Sequence, residues 1–203
     1  MLSAICLRAC HAYMQSPAQV SDFSTTKLLL FLMTFTIENL KESDVEAVVK
    51  LFHIIIDELH EKSLEVERLH FKDMYPAEEV TNRLSNKDCI YLVARENDNV
   101  AGFMFAWVSE GVGNIHWMGI APEHRKKGYG DKLIEETIKI FTEKGCYEAK
   151  LFTYPSEKAA YHLFQKHGFR EAAFIDRRFF GTNIIFMVRK ITPVPEEHRS
   201  KKI

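Results

Sequence analysis

The chain has 203 residues, 46% of them apolar and 27% charged, and its 27 basic and 28 acidic side chains give a formal net charge of −1. This composition is typical of a globular domain with or without tails, and it excludes disorder over most of the length. The balanced charge argues against nucleic-acid binding, which usually needs a basic excess, and no apolar run reaches the ~18 residues that a membrane span needs.

Three parts can be distinguished along the chain. Residues 1–33 show little periodicity, so we expect a poorly ordered N-terminal extension up to Met33. Residues 34–192 carry the secondary-structure signals described below and are predicted to form one domain. Residues 193–203 combine two prolines with charged side chains and are predicted to be a flexible tail.

The domain is predicted to begin with a short strand and an amphipathic helix. Residues 34–37 alternate as in a strand, and Ser43 with Glu46 fits a capping box that would start the helix. Apolar residues with helical spacing then predict one buried helix face; they are Val45, Val48, Val49, Phe52, Ile55, Ile56 and Leu59. A second, shorter helix is predicted from Ala77 to Leu84, after Pro76.

Three strands in an antiparallel meander are predicted next. They cover residues 90–94, 100–108 and 115–120, and turn-forming Asn, Asp and Gly residues separate them. Gly102, inside the second of these strands, indicates a bulge.

The pattern then changes to alternating helices and strands. An apolar helix face runs from Leu133 to Phe141, and a strand follows at residues 149–154. Ser156 is the expected N-cap of another helix. Two strands, residues 169–175 and 182–190, complete the order β-α-α-β-β-β-α-β-α-β-β. This order predicts an α/β (α+β) fold with a mixed sheet and helices on its faces.

The four cysteines show no metal-binding pattern. Cys6, Cys10, Cys89 and Cys146 form neither a CxxC pair nor a Cys/His cluster with zinc spacing, so we expect no metal. Cys89 stands in an apolar strand, where a reduced core thiol is expected. We therefore expect a reducing compartment, namely the cytoplasm.

The segment between the third meander strand and the next helix carries the chemistry. It contains three consecutive cations, Arg125–Lys127, followed by Gly128 and Gly130. A helix N-terminus offers unpaired N–H groups and partial positive charge, and glycines let a ligand approach the backbone. Together these features predict an anion site, most naturally for a pyrophosphate. A Walker loop does not fit, nor does a Rossmann fingerprint, whose third glycine is replaced by Leu133. A solvated basic turn is the alternative.

The GNAT superfamily has an acetyl-CoA signature, R/Q-x-x-G-x-G/A, and the segment that resembles it here is Arg125-Lys126-Lys127-Gly128-Tyr129-Gly130. The preceding residues 120–124 resemble the family's usual lead-in. A second family motif is similar to Ala160, Leu163 and Gly168-Phe169. The resemblance covers about residues 34–190. It implies a GNAT-like fold, with a mixed, mostly antiparallel central sheet and helices on both faces, and the activity of an acetyl-CoA-dependent N-acetyltransferase.

The resemblance also implies how acetyl-CoA, the cosubstrate, would bind. Its pyrophosphate would contact the loop, at Arg125, Lys126, Lys127, Gly128, Tyr129, Gly130 and Asp131. Its pantetheine arm would pair with the strand residues Met118, Gly119 and Ile120, which requires the next strand to splay away. Glu157 and Phe164 are expected to contact it from the following helix. An acceptor amine would attack the acetyl group directly while both substrates are bound.

Two positions depart from the family pattern. Phe164 occupies the place of the frequent general-acid Tyr, and Glu157 that of a frequent Asn. Tyr161, one turn earlier on the same helix, is the expected substitute acid, with Tyr154 at the strand end as the alternative; packing is the other role open to both. Because phenyl cannot protonate a thiolate, an inactive acyl-CoA-binding module stays open, as does a partner-binding domain without CoA affinity.

His116 is the candidate general base. In some family members a His or Glu stands nine positions before the Arg/Gln of the signature, and that position here is His116. Strict alternation would put it on the same side of the strand as Met118 and Ile120. An imidazole pKa near ~6.5 suits proton removal near neutrality. A strand histidine bonded to a neighbour is the alternative, and Glu110 is the reserve candidate.

The acceptor and the oligomeric state stay open. The acidic residues around the end of the first helix would attract a cationic amine or form a solvated face; they are Asp57, Glu58, Glu61, Glu65 and Glu67. Protein N-termini, polyamines, amino acids and antibiotics are all compatible with the sequence, and so is a homodimer.

Overall fold

A computed structural model describes residues 35–59 and 65–192 of the chain. The expectations for residues 1–33, for Glu61 and for residues 193–203 lie outside these ranges. The strands are β1 (Phe35–Asn39), β2 (Cys89–Glu96), β3 (Asn99–Ser109), β4 (Val112–Ile120), β5 (Glu148–Thr153), β6 (Arg170–Phe179) and β7 (Thr182–Lys190). The α-helices are α1 (Val45–Leu59), α2 (Glu65–Asp73), α3 (Ala77–Leu84), α4 (Tyr129–Glu143) and α5 (Lys158–Lys166).

The strands form one mixed sheet with the order β1-β2-β3-β4-β5-β7-β6. β1 to β4 pair as an antiparallel meander, and β5, β7 and β6 pair antiparallel as well. The pair β4–β5 is parallel, which places helix α4 as the crossover between the two strands. The predicted α/β (α+β) architecture with a mostly antiparallel sheet is therefore confirmed.

Helices cover both faces of the sheet, and each face has its own hydrophobic core. On one face α4 buries Leu133 and Phe141 completely against the strands. On the other face α1 buries Val48 and Phe52 completely, together with side chains of α2 and α3. Burying one such side chain contributes about 1.5–3 kcal/mol. No helix within the described residues is long and apolar enough to span a membrane.

Helix α2 was not predicted, because its burial pattern is inverted. The acidic side chain of Glu67 is only 2% exposed and Phe71 only 4%, whereas Val66 is 56% and Leu69 52% exposed. A hydrophobic pattern predicts a helix only when its apolar residues form the buried face. The element order of the described residues is thus β-α-α-α-β-β-β-α-β-α-β-β, with three helices between β1 and β2 instead of two.

The two predicted N-caps are wrong. A 3₁₀ turn, Glu42–Asp44, precedes α1, and its Asp44 side chain accepts a hydrogen bond from the Lys41 main-chain N–H at 3.4 Å and forms an ion pair with Arg95. This anchored Asp44 replaces the expected capping box of Ser43 and Glu46. Helix α5 starts after Glu157 rather than Ser156, because the Glu157 N–H already bonds the carbonyl of Tyr154, at 3.0 Å.

The bulge that Gly102 indicates is present one residue earlier, at Ala101. In the β2–β3 register Ala94 faces Gly102 and Arg95 faces Val100, so Ala101 has no partner. A Cβ atom at Gly102 would lie 2.8 Å from the carbonyl oxygen of Gly119 on β4. The glycine therefore allows β3 and β4 to approach closely where β4 leads into the loop.

Candidate active site

Strands β4 and β5 diverge after a short stretch of pairing. The register joins residues 112–114 of β4 to residues 148–150 of β5 and ends there. Because the strands separate, the β5-facing edge of residues 115–120 has no neighbouring strand. A cavity of about 860 Å³ opens at this point, and its lining includes Ile115, Met118 and Ile120 of β4 and Leu151 and Thr153 of β5. The separation of these two strands, which the family resemblance implies, is therefore present.

One end of this cleft is a loop whose main-chain N–H groups are free. Within the described residues no hydrogen bond is donated by the main-chain N–H groups of residues 128–131, and the first bond of α4 runs from Lys132 N–H to Gly128 O at 3.2 Å. Gly128 has φ +90°, and a Cβ atom there would meet nothing within 4 Å. Four unsatisfied donors at a helix N-terminus, with open space beside them, form a site for an anion.

The three cations of the loop have different roles. The Arg125 guanidinium forms an ion pair with Glu58 of α1 and donates from Nε to Ile120 O at 3.1 Å. Lys127 contacts the Glu96 carboxylate at 3.1 Å and does not line the cleft. Lys126 lines the cleft and has no ion pair among the described residues. The positive charge available to an anion thus comes from Lys126 and the amides, while Arg125 and Lys127 fix the loop.

Gly130 and Asp131 join α4 to α5 beside the loop. A Cβ atom at Gly130 would lie 2.9 Å from Leu163 Cδ2, so this glycine permits the close packing of the two helices. The Asp131 carboxylate lies 2.5 Å from Lys166 Nζ and 2.9 Å from His167 Nε2. The hydrogen bond from Lys166 and that from His167 lower the pKa of Asp131. The N-terminus of α4 is therefore held by charges at the C-terminus of α5.

A second bulge, in the β3–β4 pair, turns the His116 side chain to the side of β4 opposite to the one that strict alternation predicts. In the β3–β4 register Phe105 faces Trp117 and Ala106 faces Ile115, so His116 has no partner. Ile115 and Met118 pack in the core under α4, whereas Trp117 packs on the face covered by α1. The His116 ring lies near the rings of Tyr75, Trp107 and Trp117. The expectation that His116 shares a side with Met118 and Ile120 is wrong, because the bulge interrupts the alternation.

The environment of His116 keeps its imidazole neutral. Burial, and secondly the positive charge of Arg83, lower its pKa from 6.5 to about 4. Its Nδ1 lies 2.5 Å from the hydroxyl of Tyr75, the residue that follows α2 by two positions. Burial raises the pKa of the Tyr75 phenol, so the phenol also stays neutral. If Nδ1–H donates to the Tyr75 oxygen, Nε2 is left as a free acceptor for a proton.

The two candidate acids lie in different places. The Tyr161 hydroxyl donates to Glu171 Oε2 at 3.3 Å and accepts from Gln165 Nε2 at 3.2 Å, and Tyr161 does not line the cleft. Tyr154, at the end of β5, does line it. Burial, and secondly the charge of Glu67, raise the pKa of Tyr154. The structure brings Tyr154 to the cleft and leaves Tyr161 outside it.

Most of the other residues expected at the site line the cleft. Those that do are His116, Met118, Gly119, Ile120, Arg125, Lys126, Gly128, Tyr129, Gly130, Asp131, Glu157 and Phe164. Glu110, the reserve base, lies in the β3–β4 turn with φ 54° and is not part of the lining. Tyr75 was not predicted as part of the site, because no sequence signal connects it to a strand residue 41 positions away.

The predicted acidic cluster does not form one negative surface. Asp57 forms an ion pair with Lys72 at 2.7 Å, and Glu58 forms one with Arg125. Glu67 is buried, where it accepts a hydrogen bond from Thr182 Oγ1 at 3.5 Å. Neighbouring cations therefore neutralise Asp57 and Glu58, and burial hides Glu67, whereas Glu65 is exposed at the start of α2.

Comparison with known proteins shows similarity to acetyltransferases. The family model described as Acetyltransferase (GNAT) family matches residues 52–169, more than half of the chain. A spermidine N(1)-acetyltransferase of Thermoplasma acidophilum is 24% identical over 103 residues, which are 49% of this chain and 64% of the relative. A mycothiol acetyltransferase of Clavibacter sepedonicus is 29% identical over 83 residues, 40% of this chain and 27% of the relative. The matched region thus spans less than two thirds of these curated relatives.

Solved structures show the same fold over longer stretches. The PaiA N-acetyltransferase of Thermoplasma acidophilum, solved in complex with coenzyme A, superposes with a TM-score of 0.69 at 21% identity, over 78% of this chain and 99% of the other. The ribosomal-protein-S18-alanine N-acetyltransferase of Escherichia coli gives a TM-score of 0.62 at 17% identity, over 82% of this chain and 100% of the other. At these identities the likeness establishes the fold.

Proposed function

The chain belongs to the GNAT acetyltransferase family, and from that membership we propose that it transfers the acetyl group of acetyl-CoA to a primary amine, by direct attack while both substrates are bound. The observation that carries the proposal is the divergence of β4 and β5 beside a helix N-terminus with four free N–H groups. The diverging strands provide an open strand edge and a passage through the sheet, and the loop provides an anion site next to it.

The residues of the cleft fit acetyl-CoA. The amides of residues 128–131 and the Lys126 ammonium would hold its pyrophosphate, and the space around Gly128 leaves room for the phosphates. The open edge of β4 at Met118–Ile120 would bond the amide groups of the pantetheine arm as an added strand does. A main-chain N–H group of the same edge would donate to the acetyl oxygen as negative charge develops there. Acetyl-CoA supplies the activated acyl group; the chain supplies the binding groups and the proton transfers.

His116 is proposed as the base that accepts a proton from the acceptor amine, directly or through water. Its lowered pKa keeps the ring neutral at pH 7, and its hydrogen bond with Tyr75 fixes the orientation of the ring. Because the lowered pKa also weakens the imidazole as a base, it would accept the proton as the amine attacks, when the nitrogen becomes positively charged and more acidic. Tyr154 is proposed as the acid that protonates the departing thiolate, in place of the family tyrosine that is Phe164 here. A phenol whose pKa is raised by burial remains protonated and can donate.

The second candidate function is an acyl-CoA-binding module without turnover. It is favoured by Phe164, which is 5% exposed and carries no ionisable group at the position where the family frequently has a tyrosine. The two functions share the anion site and differ in the transfer step, so acetylation of an amine separates them.

Two glycines with positive φ angles allow a matched test of the acetyl-CoA site. Gly128 and Gly145 have φ +90° and +74°, and a Cβ atom at either would meet nothing within 4 Å. Each Gly→Ala substitution should lower the unfolding free energy by about 1–2 kcal/mol, because a left-handed backbone is unfavourable for alanine. In isothermal titration calorimetry we expect Gly128→Ala to weaken acetyl-CoA binding at least about 10-fold, and Gly145→Ala, at the far end of α4, to retain it. Equal affinities of the two variants would contradict the proposed site.

We also propose that the protein works in a reducing compartment such as the cytoplasm. Cys89 and Cys146 are free thiols, and Cys146 is fully buried. Cys6 and Cys10 lie outside the described residues. Buried free thiols behave as small apolar side chains and need no oxidising environment.

A further inference from the structure

The cleft crosses the sheet, and its two ends differ in chemistry. On the α4–α5 side it is lined by the loop and by Gly130 and Leu163. On the α1–α2 side it is lined by aromatic rings from four different elements: Phe71 of α2, Trp117 of β4, Phe152 of β5 and Phe179 of β6. We refer to these four residues as the aromatic end. Because the anion site belongs to the α4–α5 side, the aromatic end is where an acceptor would lie.

The four rings of the aromatic end line the same cavity and contact one another. The centroid of Phe71 lies 5.3 Å from that of Trp117 and 6.2 Å from that of Phe179, and the centroid of Phe152 lies 6.5 Å from that of Phe179. All three pairs meet at interplanar angles of 74° or more. These are edge-to-face contacts, and a further aromatic ring in the cavity would pack against the four rings in the same way.

No unpaired carboxylate lines this end of the cleft among the residues that the structure describes. Glu67 of α2, whose charge acts on Tyr154, is not part of the lining: it is only 2% exposed and accepts a hydrogen bond from Thr182. The carboxylates of the cleft lining are Glu58, Asp131 and Glu157. Glu58 is neutralised by Arg125, and Asp131 is bound to Lys166 and His167 on the α5 side. Glu157 is the residue before α5 and so belongs to the α4–α5 side as well. An acceptor with a second ammonium group would bury that charge among rings without a carboxylate partner, which is unfavourable.

The proposed base adjoins the aromatic end. The His116 ring centroid lies 5.8 Å from that of Trp117 and 5.1 Å from that of Trp107. An amine that reaches His116 would therefore carry its substituent among these rings. We propose, on the basis of the acetyl transfer proposed above, that the acceptor is a primary amine joined by a short linker to an aromatic ring. The ring packs in the aromatic end, and the amino group lies next to His116.

An acceptor panel tests this directly with phenethylamine, n-butylamine and spermidine. We expect kcat/KM for phenethylamine to exceed those for the other two at least about 10-fold, as expected for an apolar pocket that the ring fills. Phe179→Ala should raise the KM for phenethylamine about 10-fold and leave acetyl-CoA affinity unchanged. Phe174→Ala is the matched control, because Phe174 is on the same strand, is 54% exposed and does not line the cleft.

The outcomes separate this inference from the proposed function. Aromatic faces also attract cations, and an aromatic end that holds an ammonium group in this way would reverse the ranking and favour spermidine. Two results would overturn the aromatic acceptor in a protein that binds acetyl-CoA: a higher kcat/KM for spermidine or n-butylamine, or no transfer to phenethylamine. Either result would leave the acetyl-CoA site standing. Absence of acetyl-CoA binding would instead overturn the proposed function.

Discussion

The neutral state of the half-buried His116 has a measurable consequence for stability. Its pKa is lowered to about 4 in the folded protein, whereas an unfolded chain restores the ordinary value of 6.5. Between pH 6.5 and 4 the unfolded state therefore binds the proton that the folded state excludes, so this contribution destabilises the fold as the pH falls through that window. From pH 7 to pH 5 the linkage amounts to about 2 kcal/mol.

The substitution His116→Asn removes the titration and preserves a group near the position of Nδ1 that can bond the Tyr75 hydroxyl. Urea unfolding at pH 7 and pH 5 should show that the wild type loses about 2 kcal/mol more than the variant on acidification. His162→Gln, which alters an exposed histidine of α5, should follow the wild type. If wild type and His116→Asn lose the same unfolding free energy between pH 7 and pH 5, the pKa of His116 is not lowered in the folded protein.

Two further predictions concern the proton transfers. We expect His116→Asn to lower kcat/KM for the amine about 100-fold near neutral pH with little change in acetyl-CoA affinity. The defect should shrink as rising pH supplies free amine. Equal pH–rate profiles of wild type and variant would show that His116 takes no part in the mechanism. We expect Tyr154→Phe to lower kcat about 100-fold without affecting acetyl-CoA binding, while Tyr161→Phe, outside the cleft, keeps the wild-type rate; the opposite ranking would restore Tyr161 as the acid.

The sequence alone was sufficient for the elements with strong local signals. The meander strands are half-buried or buried runs bounded by turn residues, and α4 begins between two glycines and has one apolar face. The glycine–cation loop was recognisable because the anion site proposed for it requires backbone N–H groups and small residues at fixed spacing. The fold and the acetyl-CoA signature follow from such short-range features.

Features that depend on tertiary contacts were not predictable. Helix α2 buries Glu67 and exposes Val66, and only the surrounding structure decides which of the two is inside. The bulge at His116 depends on the register with β3, which a single strand does not encode. The pairing of Arg125 with Glu58 joins residues 67 positions apart. Such a pairing changes how much of the cationic run is available to a ligand.

The most direct test of the account is to incubate the full chain with acetyl-CoA and phenethylamine, and to quantify both the released CoA thiol and the acetylated amine by mass spectrometry. Direct acetyl transfer predicts that N-acetylated phenethylamine forms in an amount equal to the thiol released, and that omitting the amine stops both. Thiol release without an acetylated amine, or no release from a protein that binds acetyl-CoA, would contradict it.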